Sequence, residues 1–297
     1  MILTILAVDL IKIMRVPRSL CEGLVEAIPK RCSWRRYTGE DLSEHQKESL
    51  KAYSADLNRV FKHARLQILE GEMAKTAMTS PIGIGVIRGI VFCSAVIVNK
   101  DSPRPEADIE AGMIGQLFIL KAISLDLQNV WIGAVNIFGQ SKVLKKNGLI
   151  NSETESVVAF LPVGHAVNPE YGQTRRPPLE KFLVCPPSIQ NTPDVQTVAN
   201  AVLRSPSALN RMPYKLIVRP TEGMNVGGPS IASIHLTVSN PTASGNYLSH
   251  WLDAGIGAVH ALLALQTLDI CTDKDAIEIS HLLGEENAIV LRLQAHN

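Results

Sequence analysis

The chain has 297 residues, 46% hydrophobic and 19% charged, with a formal net charge of +1 from 29 basic and 28 acidic residues. Such a composition builds a sizeable core and excludes a disordered chain, and nothing in the balanced net charge suggests the basic excess that nucleic-acid binding needs, although local basic clusters exist. Five widely spaced cysteines, Cys21, Cys32, Cys93, Cys185 and Cys271, form no Cys-x-x-Cys pair. That pattern argues against a disulfide framework or zinc site, and for a reducing, cytoplasmic compartment.

In chain order, Met1 to Met14 is apolar but short, with Asp9 and Lys12 inside it. It reads as an ordered strand or short helix, not as a signal peptide or membrane span. No other apolar run reaches membrane-spanning length, so no membrane partner is expected. Next comes Lys30-Arg-Cys-Ser-Trp-Arg-Arg-Tyr-Thr38. If this run is extended, Arg31, Ser33 and Arg35 share one side, because side chains alternate with period two. Two guanidiniums flanking a hydroxyl would cradle a phosphate, since the arginine fork matches its oxygens. On its own, the run is also what a solvated basic turn after a helix ending near Lys30 looks like.

Residues 90–98 then predict a strand, residues 110–127 an apolar helix, and residues 156–161 a further strand. The stretch from Pro177 to Pro193 is proline-rich and reads as a connector. Beyond it, Arg204-Ser-Pro-Ser-Ala-Leu-Asn-Arg-Met-Pro-Tyr214 predicts a helix start with Ser205 as N-cap and Pro206 at the first helical position. Ser207 and Asn210 would then share one face. The Asn210 amide both donates and accepts, which suits a heterocycle edge; a plain capped helix explains the same residues. Residues 233–239 and 288–293 predict strands on either side of a second apolar helix, residues 253–270.

The two apolar helices resemble each other without a gap, 143 residues apart (253 against 110). Both open with an acid followed by Ala-Gly, and both close with Leu-Asp-Leu or Leu-Asp-Ile. An acid suits a helix start because of the macrodipole. Helices that are apolar nearly all round belong in a core or interface. Ala111, Gly112 and Gly115, with Ala254, Gly255, Gly257 and Ala258, would let backbones approach closely. Strands precede and follow each helix, so the class is α+β with two related halves. The expected limits are an N-terminal extension at 1–19, a first half at 20–180, a connector at 181–195 and a second half at 196–297, all in one integrated domain. Gly255-Ile-Gly257 lies within a helical pattern and is not a dinucleotide loop. His250 and His260 are wrongly spaced for helical metal ligands, and no metal site is expected. His260 reads as a core or interface histidine.

Taken together, these residues resemble the flavin-dependent nitroreductase family. Arg31, Ser33, Arg35 and Tyr37 match its Arg-x-Ser-x-Arg/Lys-x-Phe/Tyr signature. Pro206, Ser207, Ala208, Asn210 and Pro213 match Pro-Ser-Ala-x-Asn-x-Gln-Pro-Trp, with Met212 and Tyr214 in place of Gln and Trp. Residues 130–136, 161–166 and 175–180 resemble three further family segments. The Asn that ordinary members place before the first long strand has no counterpart around residues 79–89. One signature falls in each half, which resembles the subgroup in which a single chain mimics the family dimer.

That resemblance implies a nitroreductase-like three-layer α-β-α fold with one FMN shared between the halves. Arg31, Ser33, Arg35 and Arg175 or Arg176 would hold the phosphate. Pro206, Ser207, Ala208 and Asn210 would fix the ribityl chain and ring, and backbone N–H groups from Gly133 to Asn136 would approach the ring near N5. The implied activity is NAD(P)H-driven two-electron reduction of a nitro, quinone or similar acceptor. No catalytic side chain is required, and a monomer can form the site alone. The alternative is a flavin-binding or flavin-storage protein, or an inactive protein of the same fold.

Overall fold

The computed structural model describes residues 11–78, 87–133, 141–169, 176–220, 231–240, 249–268, 276–282 and 287–292. Strand Ile11–Pro17 (β1) is followed by helix Glu44–Val60 (α1), strand Ala64–Glu70 (β2), helix Gly71–Met78 (α2) and strand Phe92–Asn99 (β3). Helix Arg104–Ser124 (α3), short strand Gln128–Asn129 (β4), helix Lys142–Lys146 (α4) and strand Glu155–Gly164 (β5) come next. The proline-rich stretch carries single turns Leu179–Phe182 (α5) and Pro187–Gln190 (α6) around the two-residue strand Leu183–Val184 (β6). Helix Pro193–Leu203 (α7), strands Tyr214–Arg219 (β7) and Ser233–Val238 (β8), helix His250–Thr267 (α8), and strands Ala276–Leu282 (β9) and Ala288–Arg292 (β10) complete the order. Ahead of the basic run, the chain makes two 3-10 turns, at Arg18–Leu20 and Val25–Ala27, in place of a helix ending near Lys30.

Two sheets result. One runs β2-β3-β5-β4 and is antiparallel throughout. The other runs β1-β9-β10-β8-β7-β6. Without its two outer strands, the second sheet reads β7-β8-β10-β9 from the other end. That is the order of the first sheet, strand for strand, with a long buried helix (α3 or α8) inserted at the same point. The internal repeat is therefore a repeat of topology as well as of helix sequence. The outer strand β1 pairs antiparallel with β9, from Ile11 opposite His281 to Pro17 opposite Ala276. It closes an edge that would otherwise present unpaired backbone groups.

The local chemistry explains the elements. A capping box opens α1: Ser43 Oγ accepts from the Gln46 N–H at 3.2 Å, and Gln46 Oε1 accepts from the Ser43 N–H at 3.0 Å. In β3, Phe92, Val96 and Val98 face the main core with Leu66, Ala159 and Leu161, whereas Cys93, Ala95 and Ile97 face Ala74, Ala77 and Leu144. Helices thus cover both faces of this sheet, and a strand covered on both faces is apolar throughout. This is the three-layer α-β-α arrangement.

Helices α3 and α8 pack against each other at the centre. A Cβ on Gly112 would stand 2.1 Å from the Leu252 carbonyl oxygen, and one on Gly255 would stand 2.4 Å from the Ile109 carbonyl oxygen. Gly255 lies 143 residues beyond Gly112, and Leu252 lies 143 beyond Ile109. The contact is therefore self-reciprocal, as across a two-fold axis between identical subunits. Among the described residues, no helix is long and apolar enough to cross a membrane.

Candidate functional site

The basic run is extended and laced to its neighbours by backbone bonds. Trp34 N–H donates to the Asn129 carbonyl at 3.0 Å, Tyr37 N–H to Arg88 at 2.9 Å, and Thr38 N–H to His165 at 2.8 Å. Strict alternation would place Arg31, Ser33 and Arg35 on one side, but their burial differs. Arg31 is only 7% exposed, whereas Ser33 and Arg35 are exposed. Arg31 Nη1 approaches Ser33 Oγ at 3.5 Å. No contact among the described residues joins Arg35 to this pair.

Arg176 converges on the same place from the other end of the first half. Its Nη1 donates to Asn210 Oδ1 at 3.3 Å, and its Nη2 to the Arg204 carbonyl at 3.2 Å. Burial, and then the positive Arg176 beside it, push the Arg31 guanidinium down to about 10. Arg176 is lowered too, chiefly by burial. Among the described residues no carboxylate pairs with either arginine. Arg31 Nε is buried without a hydrogen-bond partner. Two cations withdrawn from water, Arg31 more than Arg176, with a spare donor on Arg31, make a setting whose charge would suit an anion.

A buried polar chain lies behind the arginines. His260 Nδ1–H donates to the Ala201 carbonyl at 2.8 Å, Gln116 Nε2–H donates to His260 Nε2 at 2.9 Å, and Trp131 Nε1–H donates to Gln116 Oε1 at 3.0 Å. These bonds tie α7, α8 and α3 to the segment leading to Gly133. They also fix a neutral imidazole, which burial and the two nearby arginines push down to about 3. His260 is thus a buried histidine that joins α8 to α7 and α3. Gly133 is exposed and follows Ile132, which exchanges two backbone bonds of 2.9 Å with Phe160. Asn136 and Arg175 lie outside the described residues.

The segment around Ser207 corrects the sequence expectation. Ser205 is fully buried and does not cap a helix; its hydroxyl is 2.5 Å from the Tyr214 hydroxyl. After the buried Pro206 the chain makes one 3-10 turn, Ala208–Asn210, in which Leu209 (φ 54°) and Asn210 (φ 55°) are left-handed, followed by Met212 (φ 47°). Side chains take two of the segment's backbone donors, one of which, the Met212 N–H, a helix would have given to the Ala208 carbonyl. Asp253 takes the Ala208 N–H at 3.0 and 3.1 Å, and Ser207 Oγ takes the Met212 N–H at 2.9 Å. Asn210 still reaches the site through Arg176, so the turn brings the second signature to the first by another route.

Sequence reasoning missed Gln116, visible only as a polar break in an apolar helix, and Asn129. The latter forms a parallel bridge with Ser33, is 1% exposed, and buries an amide whose oxygen and nitrogen both lack partners. A small, partly open cleft adjoins it, lined by residues that include Lys30, Cys32, Trp34 and Asp126.

A family model described as "Putative TM nitroreductase" matches residues 23–264. Among solved structures, a putative nitroreductase of Thermotoga maritima superposes with a TM-score of 0.56 at 17% identity, over 92% of this chain and 94% of its own. That likeness is one of fold. A putative nitroreductase of Desulfovibrio desulfuricans, solved with FMN, has a TM-score of 0.45 at 21% identity over 56% of this chain and 98% of its own. A putative NADH oxidase of Clostridium acetobutylicum has a TM-score of 0.43 at 18% identity over 52% and 96%. No curated protein matches the chain.

Proposed function

Because the chain belongs to this nitroreductase family, we propose that it is an FMN-dependent oxidoreductase whose two halves stand in for the family dimer and share one flavin. The observation that carries this reading is that Arg31 and Arg176 lie near each other with no carboxylate paired to either among the described residues. Their repulsion is relieved by a phosphate, whose oxygens also match the unpartnered Arg31 Nε. The residues present therefore fit the group.

Arg31, Ser33 and Arg176 are assigned to the phosphate, with Arg35 and Arg175 as supporting cations. Pro206, Ser207, Ala208 and Asn210 are assigned to the ribityl chain and ring, and the backbone from Gly133 to Asn136 to the ring near its reactive edge. FMN supplies two-electron chemistry when bound, with NAD(P)H as donor and a nitro, quinone or similar compound as acceptor; the protein supplies position and electrostatics. Arg31 and Arg176 bind and orient. Neutral His260 holds three helices together behind them without adding a third positive charge.

Absorbance of the purified protein and FMN titration test the reading. A yellow protein, or one that takes up FMN, is expected. Replacing Arg31 and Arg176 with Ala should weaken binding by roughly tenfold to hundredfold per arginine, the scale of a hydrogen bond to a charged group. Tight binding by the double variant would refute the phosphate assignment. Bleaching of the bound flavin by NADH or NADPH separates an enzyme from a flavin-storage protein.

A further inference from the structure

We propose that Asp253 is a positioning residue: its carboxylate holds the Ser207–Asn210 turn in binding shape, and so sets FMN affinity without touching FMN. The affinity part rests on the function proposed above; the hold on the turn does not.

Asp253 sits in the first turn of α8 and is only 4% exposed. Both of its oxygens lie on the Ala208 N–H, and no other donor reaches them among the described residues. A buried carboxylate with one partner is an expensive way to stabilise a fold, since an apolar residue avoids the desolvation cost. The turn it holds needs an anchor. Three non-glycine residues within four, Leu209, Asn210 and Met212, are left-handed, each at a cost of about 1 kcal/mol or more. Leu209 is 71% exposed, so packing does not compensate there.

The repeat supplies an internal comparison. Glu110 is the counterpart of Asp253, 143 residues earlier. Its Oε2 accepts from the N–H groups of Lys62, His63 and Ala64 at 2.8, 2.6 and 3.3 Å. Both acids therefore fasten the chain that leads into the first strand of their own half. In the first half that chain is residues 61–63, between α1 and β2. In the second half it is residues 204–213, between α7 and β7. The same clasp is kept where the connection has grown into a strained, exposed turn carrying Asn210, which meets Arg176.

The test uses the full chain and two variants, Asp253→Ala and Asp253→Asn, with folding checked by circular dichroism. Trypsin cleavage after Arg211, measured without FMN, reports the hold on the turn. FMN titration reports affinity. Cleavage should quicken at least tenfold in Asp253→Ala and stay near the parent rate in Asp253→Asn, whose amide oxygen still accepts from Ala208. FMN affinity should fall at least tenfold in the first variant and recover in the second. Unchanged cleavage in Asp253→Ala overturns the clasp. Faster cleavage with FMN affinity within twofold of the parent overturns the link to affinity. A parent protein that takes up no FMN, alongside faster cleavage in Asp253→Ala, sinks the flavin reading and leaves the clasp standing.

Discussion

His260 and Asp253 are both buried on α8, and burial moves them in opposite senses. The imidazole is held neutral, down to about 3, so between that value and its ordinary value of about 6.5 the unfolded chain binds the extra proton. Stability from this residue is therefore present above about pH 6.5 and lost as the pH falls, with a slope of at most about 1.4 kcal/mol per pH unit. Burial raises the Asp253 carboxyl to about 7, beside Tyr214. The folded chain holds that proton longer, so its contribution declines as the pH rises from about 4 to 7. Urea titrations across pH should separate the two. His260→Leu strands Gln116 Nε2, at a cost of about 1–3 kcal/mol at pH 7, whereas the Ala201 carbonyl keeps the Arg204 N–H. Its deficit should shrink at pH 5, where the parent loses what the variant lacks. Asp253→Asn should become more stable relative to the parent as the pH rises to 7. A deficit in His260→Leu that does not change with pH would show that the imidazole does not titrate as its burial requires.

At the scale of elements, the crossing of α3 and α8 is the most exacting contact. Gly112→Ala and Gly255→Ala each place a methyl group against a backbone carbonyl that cannot swing aside. Each should cost about 1–3 kcal/mol. The two clashes lie across one near-symmetric crossing, so helices spread by one substitution make room for the other. The double variant should therefore cost less than the sum of the singles, which a double-mutant cycle in urea measures. Full additivity would mean that the helices do not move together. This crossing was legible in the sequence, because the acid–Ala–Gly openings and the clustered small residues mark both helices. The Ser207 turn was not. Ser205, Pro206, Ser207 and Asn210 carry every local mark of a capped helix. The turn is instead tied to a carboxylate 45 residues away in the chain, a contact that local propensity cannot register.

For the whole molecule, the N-terminal strand belongs to the C-terminal half's sheet. Deleting residues 1–17 should bare the β9 edge, lower the denaturation midpoint and produce larger species in light scattering. An unchanged midpoint with a single monodisperse species would show that β1 is dispensable. If the two halves share an FMN, FMN at a hundredfold excess over its Kd should stabilise the folded chain by about 2.7 kcal/mol. Thermal melting would register this as a rise of several degrees, and no rise would count against a bound flavin.

By itself, the sequence determined the α+β class and the repeat of the long buried helix, and it singled out the cations proposed to meet an anion, because apolar period, repeat spacing and side-chain alternation are local properties. Only the tertiary structure decided which of those cations meet. Arg31 and Arg176 are 145 residues apart in the chain, yet they lie close enough for the charge of Arg176 to act on Arg31, while Arg35 stays at the surface. The tertiary structure also decided why the acid in each repeat is there. Glu110 lies beyond the first turn of α3, where the dipole gives no reason for it, and a buried carboxylate closing on Ala208 depends on packing two elements that the chain itself keeps far apart.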